Sequence, residues 1–337
     1  MAIGREQVQR NNFKQTLCTT RKSGVGTRQK AGSKAVYKEQ KFVGERALFG
    51  ARGIEISGCI FAEGESPLKH ASDLRINDCV FDWKYPLWYT RNVRLENTIL
   101  HESARSGLWY VQGLTARNCT IQAPKTFRRA TEITLEKVDL PNAQETFWNC
   151  TDITLTDVNV RGDYFAMNTA GIRAQNLSIT GNYAFDGASN IEIDGAQIHS
   201  KDAFWNTHDV TVRNATIEGE YLGWNSHNLT FENCTITSEQ GLCYIEGLTL
   251  RNCRLIDTTL AFEYSDVDVE ATTPITSVIN PRGGTITAPQ IGDLILDPDR
   301  IDPAATTVVA DVERAHDCSA VFEAGELNDD QVNGATS

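Results

Sequence analysis

The chain has 337 residues, 40% of them apolar and 23% charged, a length that allows one large core or two ordinary domains. No apolar run is long enough to span a bilayer and no secretory leader pattern is visible, so the sequence predicts a cytoplasmic protein with no membrane partner. The nine cysteines form no CxxC pair and no cluster with zinc spacing, so no metal site and no cofactor are predicted.

The chain is basic at its start and acidic beyond it. Residues 1–40 contain nine Lys/Arg and two Asp/Glu, a net charge of +7, and the remaining residues contain 23 basic and 42 acidic side chains, a net charge of −19. We interpret residues 1–41 as a basic, partly disordered arm or N-terminal cap. The acidic body repels phosphate backbones and polyuronates, so no nucleic-acid partner is predicted, and a polyuronate ligand would require a divalent cation.

A repeat of 19 to 21 residues follows the arm. The first unit reads IEISGCIF from Ile54, and the second reads LRINDCVF from Leu74. Equivalent units start at Val93, Leu114, Ile133, Ile153, Ile172, Ile191, Val210, Leu229, Leu248, Val267 and Ile286. The first, third, sixth and eighth residues of a unit are mostly apolar, a period-2 pattern that predicts strands, and Gly, Asn or Asp precedes most starts, which is typical of a turn.

These features predict an all-β fold, a right-handed single-stranded parallel β-helix (a solenoid) of about 12 coils over residues 42–297. A leucine-rich repeat is disfavoured because the second half of each unit has no helical stripe. A left-handed β-helix is disfavoured because the units have no six-residue sub-period. Residues 298–337 are expected to form a C-terminal cap and an acidic disordered tail.

Stacking of coils turns equivalent positions of the repeat into columns along the rod. The sixth position holds five of the nine cysteines among Val, Leu and Ala, so we interpret these cysteines as small buried hydrophobic residues. The fifth position holds six asparagines, which we interpret as a structural ladder at a bend of the coil.

Five of the six tryptophans fall in one column, five residues before each start. A Leu/Phe column directly precedes it, and adjacent strand residues point to opposite sides, so the tryptophans are predicted to face outward. Aromatic faces stack on pyranose rings and indole N–H groups donate hydrogen bonds, so the column predicts a glycan-binding surface; the alternative is that a bend or another segment buries it. The candidate glycan-binding residues are Trp88, Trp109, Trp148, Trp205, Trp224 and Lys69, together with Arg129, Asn149, Asn206 and Asn225 in the next column, where Tyr89 and Tyr110 also lie.

Charged residues beside these tryptophans form a mid-rod patch. The catalytic candidates are Lys125, Arg128, Glu145, Asp163, Asp186 and Asp202. Two carboxylates, one of them protonated, perform glycoside hydrolysis, and a cation beside an abstracted proton supports a β-eliminating lyase. Ordinary charge laddering on a solvated face would give the same composition, so the patch leaves catalysis and a structural role open.

Several strings resemble, in their order along the chain, a family of bacterial proteins of unassigned function: ERALFG, GESPLK, KYPLWY, ARSGLWY, APKTFRR, GDYF, KDAFWN, GEYLGWNS and LAFEYS. The resemblance covers about residues 42–297 and implies a pectin-lyase-like right-handed β-helix. It implies no reaction, because that family has no established catalytic residues. Some members carry the label hydrogenase, but nickel–iron sites need paired CxxC motifs and iron–sulfur clusters need four close thiolates, and this sequence has neither.

Two functions compete for this rod. The first is a carbohydrate-recognising or carbohydrate-active protein; as an enzyme it would be a polysaccharide lyase, a glycoside hydrolase or an epimerase. The uniform coil length leaves no long loops to wall a cleft, so any site would be an open groove. The second is a non-enzymatic structural rod whose tryptophan face is covered by another subunit of a homo-oligomer.

Overall fold

The computed structural model describes residues 35–316, so most of the predicted basic arm and the whole acidic tail from residue 317 lie outside the described residues. The first strands are β1 (Val36–Lys38), β2 (Lys41–Phe42), β3 (Glu55–Ser57), β4 (Ile60–Phe61), β5 (Ser72–Asn77), β6 (Val80–Phe81), β7 (Arg91–Glu96), β8 (Ile99–Leu100), β9 (Leu108–Trp109), β10 (Gln112–Ile121), β11 (Phe127–Arg128) and β12 (Thr131–Leu140). They are followed by β13 (Thr151–Arg161), β14 (Ala170–Thr180), β15 (Ser189–His199), β16 (His208–Gly219), β17 (His227–Glu232), β18 (Thr235–Glu239), β19 (Glu246–Thr259), β20 (Asp266–Ala271), β21 (Ile275–Ile279), β22 (Gly283–Ile295) and β23 (Thr306–His316). Two 3-10 helices, Glu102–Ala104 and Pro303–Ala305, are the only helices in this range.

The strands pair in parallel, each with the strands of the coils before and after it. The predicted fold class, an all-β right-handed parallel β-helix, is therefore confirmed. The structure has about 15 coils rather than 12. Thirteen coils begin at or near the thirteen predicted starts, and two more lie at the ends, where β1 pairs with β3 before Ile54 and β23 pairs with β22.

The predicted register holds along most of the rod and fails near its end. Ile172 lies opposite Ile191, and the same correspondence of starts continues to Val267. The start predicted at Ile286 is wrong by two residues, because Gly284 lies opposite Val267. A Cβ at this glycine would lie 1.9 Å from the Val267 carbonyl oxygen, so the backbones approach closely and the coil is shorter there.

The core is a set of stacked apolar columns. The Leu/Phe column beside the tryptophans is buried, as predicted, and its rings stack directly, with Phe127 and Phe147 centroids 4.4 Å apart. The cysteines of the sixth position are also buried and free, which confirms the hydrophobic interpretation. Burial raises the pKa of Cys79 to about 11, so this thiol stays protonated at neutral pH.

The bends of each coil are built from residues in the left-handed region. Asn176 and Asn214 of the fifth position have φ of 53° and 55°, a conformation that asparagine tolerates better than most residues. Their amides bond down the rod: Asn176 Nδ2 donates to Asp157 Oδ1 over 3.0 Å, and Asn252 donates to Asn233 over 2.7 Å. The asparagine column is therefore a structural ladder, as predicted.

Candidate functional site

The aromatic edge is the outward column that contains Lys69, Trp88, Trp109, Arg128 and Trp148. Its tryptophans are half-buried, which agrees with an outward position beside the core. Four of the five column tryptophans donate their indole N–H to a backbone carbonyl of the next coil, over 2.5–2.8 Å. These donors are consumed by the fold, so the expectation that indole N–H groups serve a ligand is wrong for Trp88, Trp109, Trp148 and Trp205.

The ring faces of the aromatic edge are also covered by their neighbours. Trp88 and Trp109 stack with centroids 5.3 Å apart and planes 8° from parallel. The Arg128 guanidinium carbon lies 5.1 Å from the Trp109 ring centroid and 4.4 Å from that of Trp148. Lys69 Nζ lies 5.4 Å from the centroid of Trp88. A sugar therefore meets ring edges and cations on this edge rather than open ring faces.

The amides predicted to bind glycan are largely engaged with each other. Asn225 Nδ2 donates to Asn206 Oδ1, and Asn206 Nδ2 donates to Asp186 Oδ1, both over 2.8 Å. Asn149 is exposed one column away from Trp148. Trp224 continues this part of the rod, with its ring 4.4 Å from that of Tyr244. In this C-terminal part of the rod, the polar side chains therefore form a ladder that mainly holds neighbouring coils together.

The carboxylates predicted to be catalytic have structural partners. Glu145 lies between Lys125 Nζ, at 3.0 Å, and the Arg128 guanidinium, which forms an ion pair with its other oxygen. Asp163 Oδ1 accepts the backbone N–H of Asn182 over 2.8 Å. The structure brings Lys125, Arg128 and Glu145 together as one ion-pair cluster, with both basic groups on a single carboxylate.

Asp202 differs from the other carboxylates because it is buried. It is 2% exposed, and its Oδ1 has no hydrogen-bond partner in the described range. Burial raises the pKa of Asp202, as does the nearby Glu220, while Lys201 and the Tyr183 hydroxyl act in the opposite direction. Burial likewise raises the pKa of Tyr183, with the Asp202 charge as the next cause. Asp202 is therefore the one catalytic candidate whose environment favours a protonated carboxyl group.

A second feature lies beside the aromatic edge, where the sequence predicted only Arg129. We call it the arginine cleft; it encloses about 580 Å³ and is lined by Arg52, His70, Tyr89, Arg91, Tyr110 and Arg129. Arg52, His70 and Arg91 were missed as site residues. The sequence did contain a signal for this site, because Arg52 and Arg91 occupy the same column, two residues before a start. That this column lines a cleft is visible only in the three-dimensional structure.

Among residues 35–316, no three His, Cys, Asp or Glu side chains group in a way that could hold a metal ion. No helix in the described part of the chain is long and apolar enough to cross a membrane.

The chain belongs to the family of proteins of unknown function DUF3737, which it matches over residues 35–309. The expected membership of an uncharacterised β-helix family is thereby confirmed, over a longer range than residues 42–297. A search of curated proteins finds no match.

Three solved structures match the chain at low identity and low TM-score. The A-module of a mannuronan C-5 epimerase from Azotobacter vinelandii is 11% identical, with 85% of this chain and 91% of that chain covered and a TM-score of 0.33. The plasmid-mediated fluoroquinolone resistance protein QnrB1 is 14% identical, covers 66% and 90% of the two chains, and has a TM-score of 0.20. The pentapeptide repeat protein HetL from Nostoc sp. strain PCC 7120 is 11% identical, covers 82% and 93%, and has a TM-score of 0.16. At these scores the likenesses carry no argument about function.

Proposed function

We propose that the protein recognises an extended oligosaccharide along the N-terminal half of the aromatic edge and does not cleave it. The supporting observation is the outward run of aromatic and cationic side chains that repeats once per coil, from Lys69 to Trp148. Coils are spaced at about 4.8 Å, close to the length of one sugar unit, so successive sugars meet equivalent groups. Tyr89, 40% exposed, and Tyr110 add hydroxyl groups that form no hydrogen bond within residues 35–316.

The partners of the carboxylates favour binding over bond cleavage. Glu145 is neutralised by two basic groups, and Asp163 and Asp186 accept hydrogen bonds from neighbouring coils. General acid catalysis needs a protonated carboxyl group that reaches the substrate, and Asp202 is protonation-prone but buried. We therefore expect no new reducing ends and no unsaturated products when any bound oligosaccharide is incubated with the protein.

Binding of the protein to a panel of oligosaccharides tests the proposal. The oligosaccharide that binds most tightly is then titrated to measure its affinity. The double variant Tyr89→Phe and Tyr110→Phe keeps the ring stack and removes only two hydroxyl groups. We expect it to weaken binding about tenfold, since each lost hydrogen bond contributes roughly 0.5–1.5 kcal/mol. Tyr244→Phe is the matched control, because Tyr244 lies in the same column at the other end of the rod and is 37% exposed. Absence of binding to every oligosaccharide would refute the proposal.

A further inference from the structure

The arginines of the arginine cleft, Arg52, Arg91 and Arg129, form no ion pair with any acidic side chain of residues 35–316. Some arginines elsewhere on the rod pair with acidic residues of a neighbouring coil, as Arg117 does with Glu136 over 2.8 Å and Arg213 with Glu232 over 2.7 Å, whereas others, such as Arg94 and Arg161, form no ion pair within residues 35–316. Hydrogen bonds from Asn92 and Ser72 lower the pKa of Asp73, and the charge of Arg52 adds to them.

The arginines recur at every second coil. Arg52 and Arg91 share one column with Ser72 between them, and Arg129 lies two coils beyond Arg91 in the column of Tyr89 and Tyr110. With about 4.8 Å per coil, guanidinium groups recur at roughly 10 Å along the rod. An extended ligand with one sugar per coil would therefore meet a cation at alternate sugars. Arginine binds carboxylate and sulfate groups through paired N–H donors.

The aromatic wall of the cleft disfavours flat ligands. His70 and Tyr89 stack with centroids 5.0 Å apart, and Tyr89 and Tyr110 stack at 4.6 Å with planes 3° from parallel. Because His70 and Tyr110 cover the two faces of Tyr89, a nucleobase cannot stack on the central ring of this wall. Hydroxyl, imidazole and guanidinium groups are left for contact, and these suit the hydroxyl and acid groups of a sugar.

The charge of the rest of the rod limits where an anion can bind. Residues 35–140 contain 15 Lys/Arg and 13 Asp/Glu, a net charge of +2, whereas residues 141–316 contain nine and 25, a net charge of −16. A polyanion is therefore attracted to the arginine cleft and repelled from the coils beyond it.

We infer that the arginine cleft binds an acidic oligosaccharide that carries a carboxylate or sulfate group on alternate sugars. The inference rests on the proposed function and names its ligand class. Arg52, Arg91 and Arg129 bind the acid groups, and Tyr89 and Tyr110 bind the intervening hydroxyl groups. Binding weakens as salt rises, because the contacts are exposed and charged.

Calorimetric titration of the full chain with defined probes tests this inference. The probes are a hyaluronan oligosaccharide, with a carboxylate on alternate sugars, a keratan sulfate oligosaccharide sulfated only on its N-acetylglucosamine units, an oligogalacturonate with a carboxylate on every sugar, a neutral chitin oligosaccharide and single-stranded oligothymidine. We expect one of the two alternating acidic glycans to bind at least about tenfold more tightly than the other three probes.

The double variant Arg91→Gln and Arg129→Gln should lose that binding, while Arg117→Gln, on a paired arginine outside the cleft, should retain it. Circular dichroism establishes that both variants remain folded. Equal binding of the neutral probe, or binding that survives in the double variant, would overturn the cleft assignment and leave the proposed function standing. Tightest binding of oligothymidine would overturn it in favour of nucleic acid, and absence of binding by every oligosaccharide would refute the proposed function itself.

Discussion

At the scale of single residues, Asp202 is a buried carboxylate whose unpartnered oxygen costs stability. Its raised pKa means that the folded state holds the proton more tightly than the unfolded state. The carboxylate therefore lowers the stability of the folded state above the ordinary carboxyl pKa of 3.8, and this loss of stability disappears as pH falls below that value.

We therefore predict that Asp202→Asn stabilises the protein at neutral pH by about 1 kcal/mol, since it removes a buried charge and can still accept from Tyr183. Chemical denaturation at neutral and at acidic pH measures the effect, which should shrink toward acidic pH. Asp163→Asn is the control, because Asp163 is not buried and holds a backbone N–H. A loss of stability in Asp202→Asn at neutral pH would show that the carboxylate makes a favourable contact instead.

At the scale of elements, a glycine column lets neighbouring coils approach at one bend. Gly181 has φ of 153°, and a Cβ there would lie 2.2 Å from the Gly162 carbonyl oxygen of the preceding coil. Gly53 has φ of 63° and nothing within 4 Å of its Cβ position. The neighbouring backbone therefore occupies the space beside Gly181, whereas the space beside Gly53, a predicted turn position directly before a start, is open.

Gly181→Ala should accordingly destabilise the rod by about 3 kcal/mol or more, because a strained backbone and a backbone clash add together. Gly53→Ala should cost only about 1 kcal/mol, the penalty for a left-handed alanine. Denaturant midpoints of the two variants and the unaltered chain measure the difference. Equal losses in both would contradict the close approach of coils at Gly181.

The last strand, β23, is held by a carboxylate clamp. Asp293 accepts from Arg314 through both oxygens and from His316, each over 2.7 Å. These partners, Arg314 first, hold the pKa of Asp293 well below its usual range, so the clamp is present above the ordinary carboxyl pKa and weakens at strongly acidic pH.

Replacing the clamp residue should loosen the end of β23 at neutral pH. We expect Asp293→Asn to accelerate amide hydrogen exchange over residues 312–316. Asp311→Asn, which lies in β23 itself but outside the clamp, should leave this exchange unchanged. Unchanged exchange in Asp293→Asn would mean that backbone pairing alone holds this strand.

At the scale of the whole molecule, the aromatic edge is covered by its own chain. Because the indole N–H groups are hydrogen-bonded and the ring faces are covered within the chain, no second subunit is needed to cover them. Outside that column, the most exposed apolar side chains of the described range include Val43 in the first coil and Val309 in the last strand.

We therefore expect a sedimentation coefficient that does not change with protein concentration. A concentration-dependent increase that persists in Val43→Ser, a variant of the first coil outside the aromatic column, would support the alternative of an oligomer assembled through the aromatic edge. An increase abolished by that variant would place self-association at the end of the rod.

The sequence by itself determined the fold class and most of the register, because every coil repeats the same inward apolar positions and the same left-handed corners. Ile54 through Val267 could be aligned from period and turn residues alone. The additional coils at the ends escaped prediction, since β1 and β23 lack the full repeat and are defined by pairing with a neighbour.

The tertiary structure alone decided what the outward columns offer to a ligand. Trp109 reads from sequence as an open platform, but its N–H and both faces are occupied by neighbouring coils. Arg91 reads as an ordinary strand residue, yet with Arg52 and Arg129 it lines a cleft and forms no ion pair within residues 35–316. The reason is physical: a column fixes which residues stack, whereas partners and exposure depend on contacts between residues about 20 positions apart.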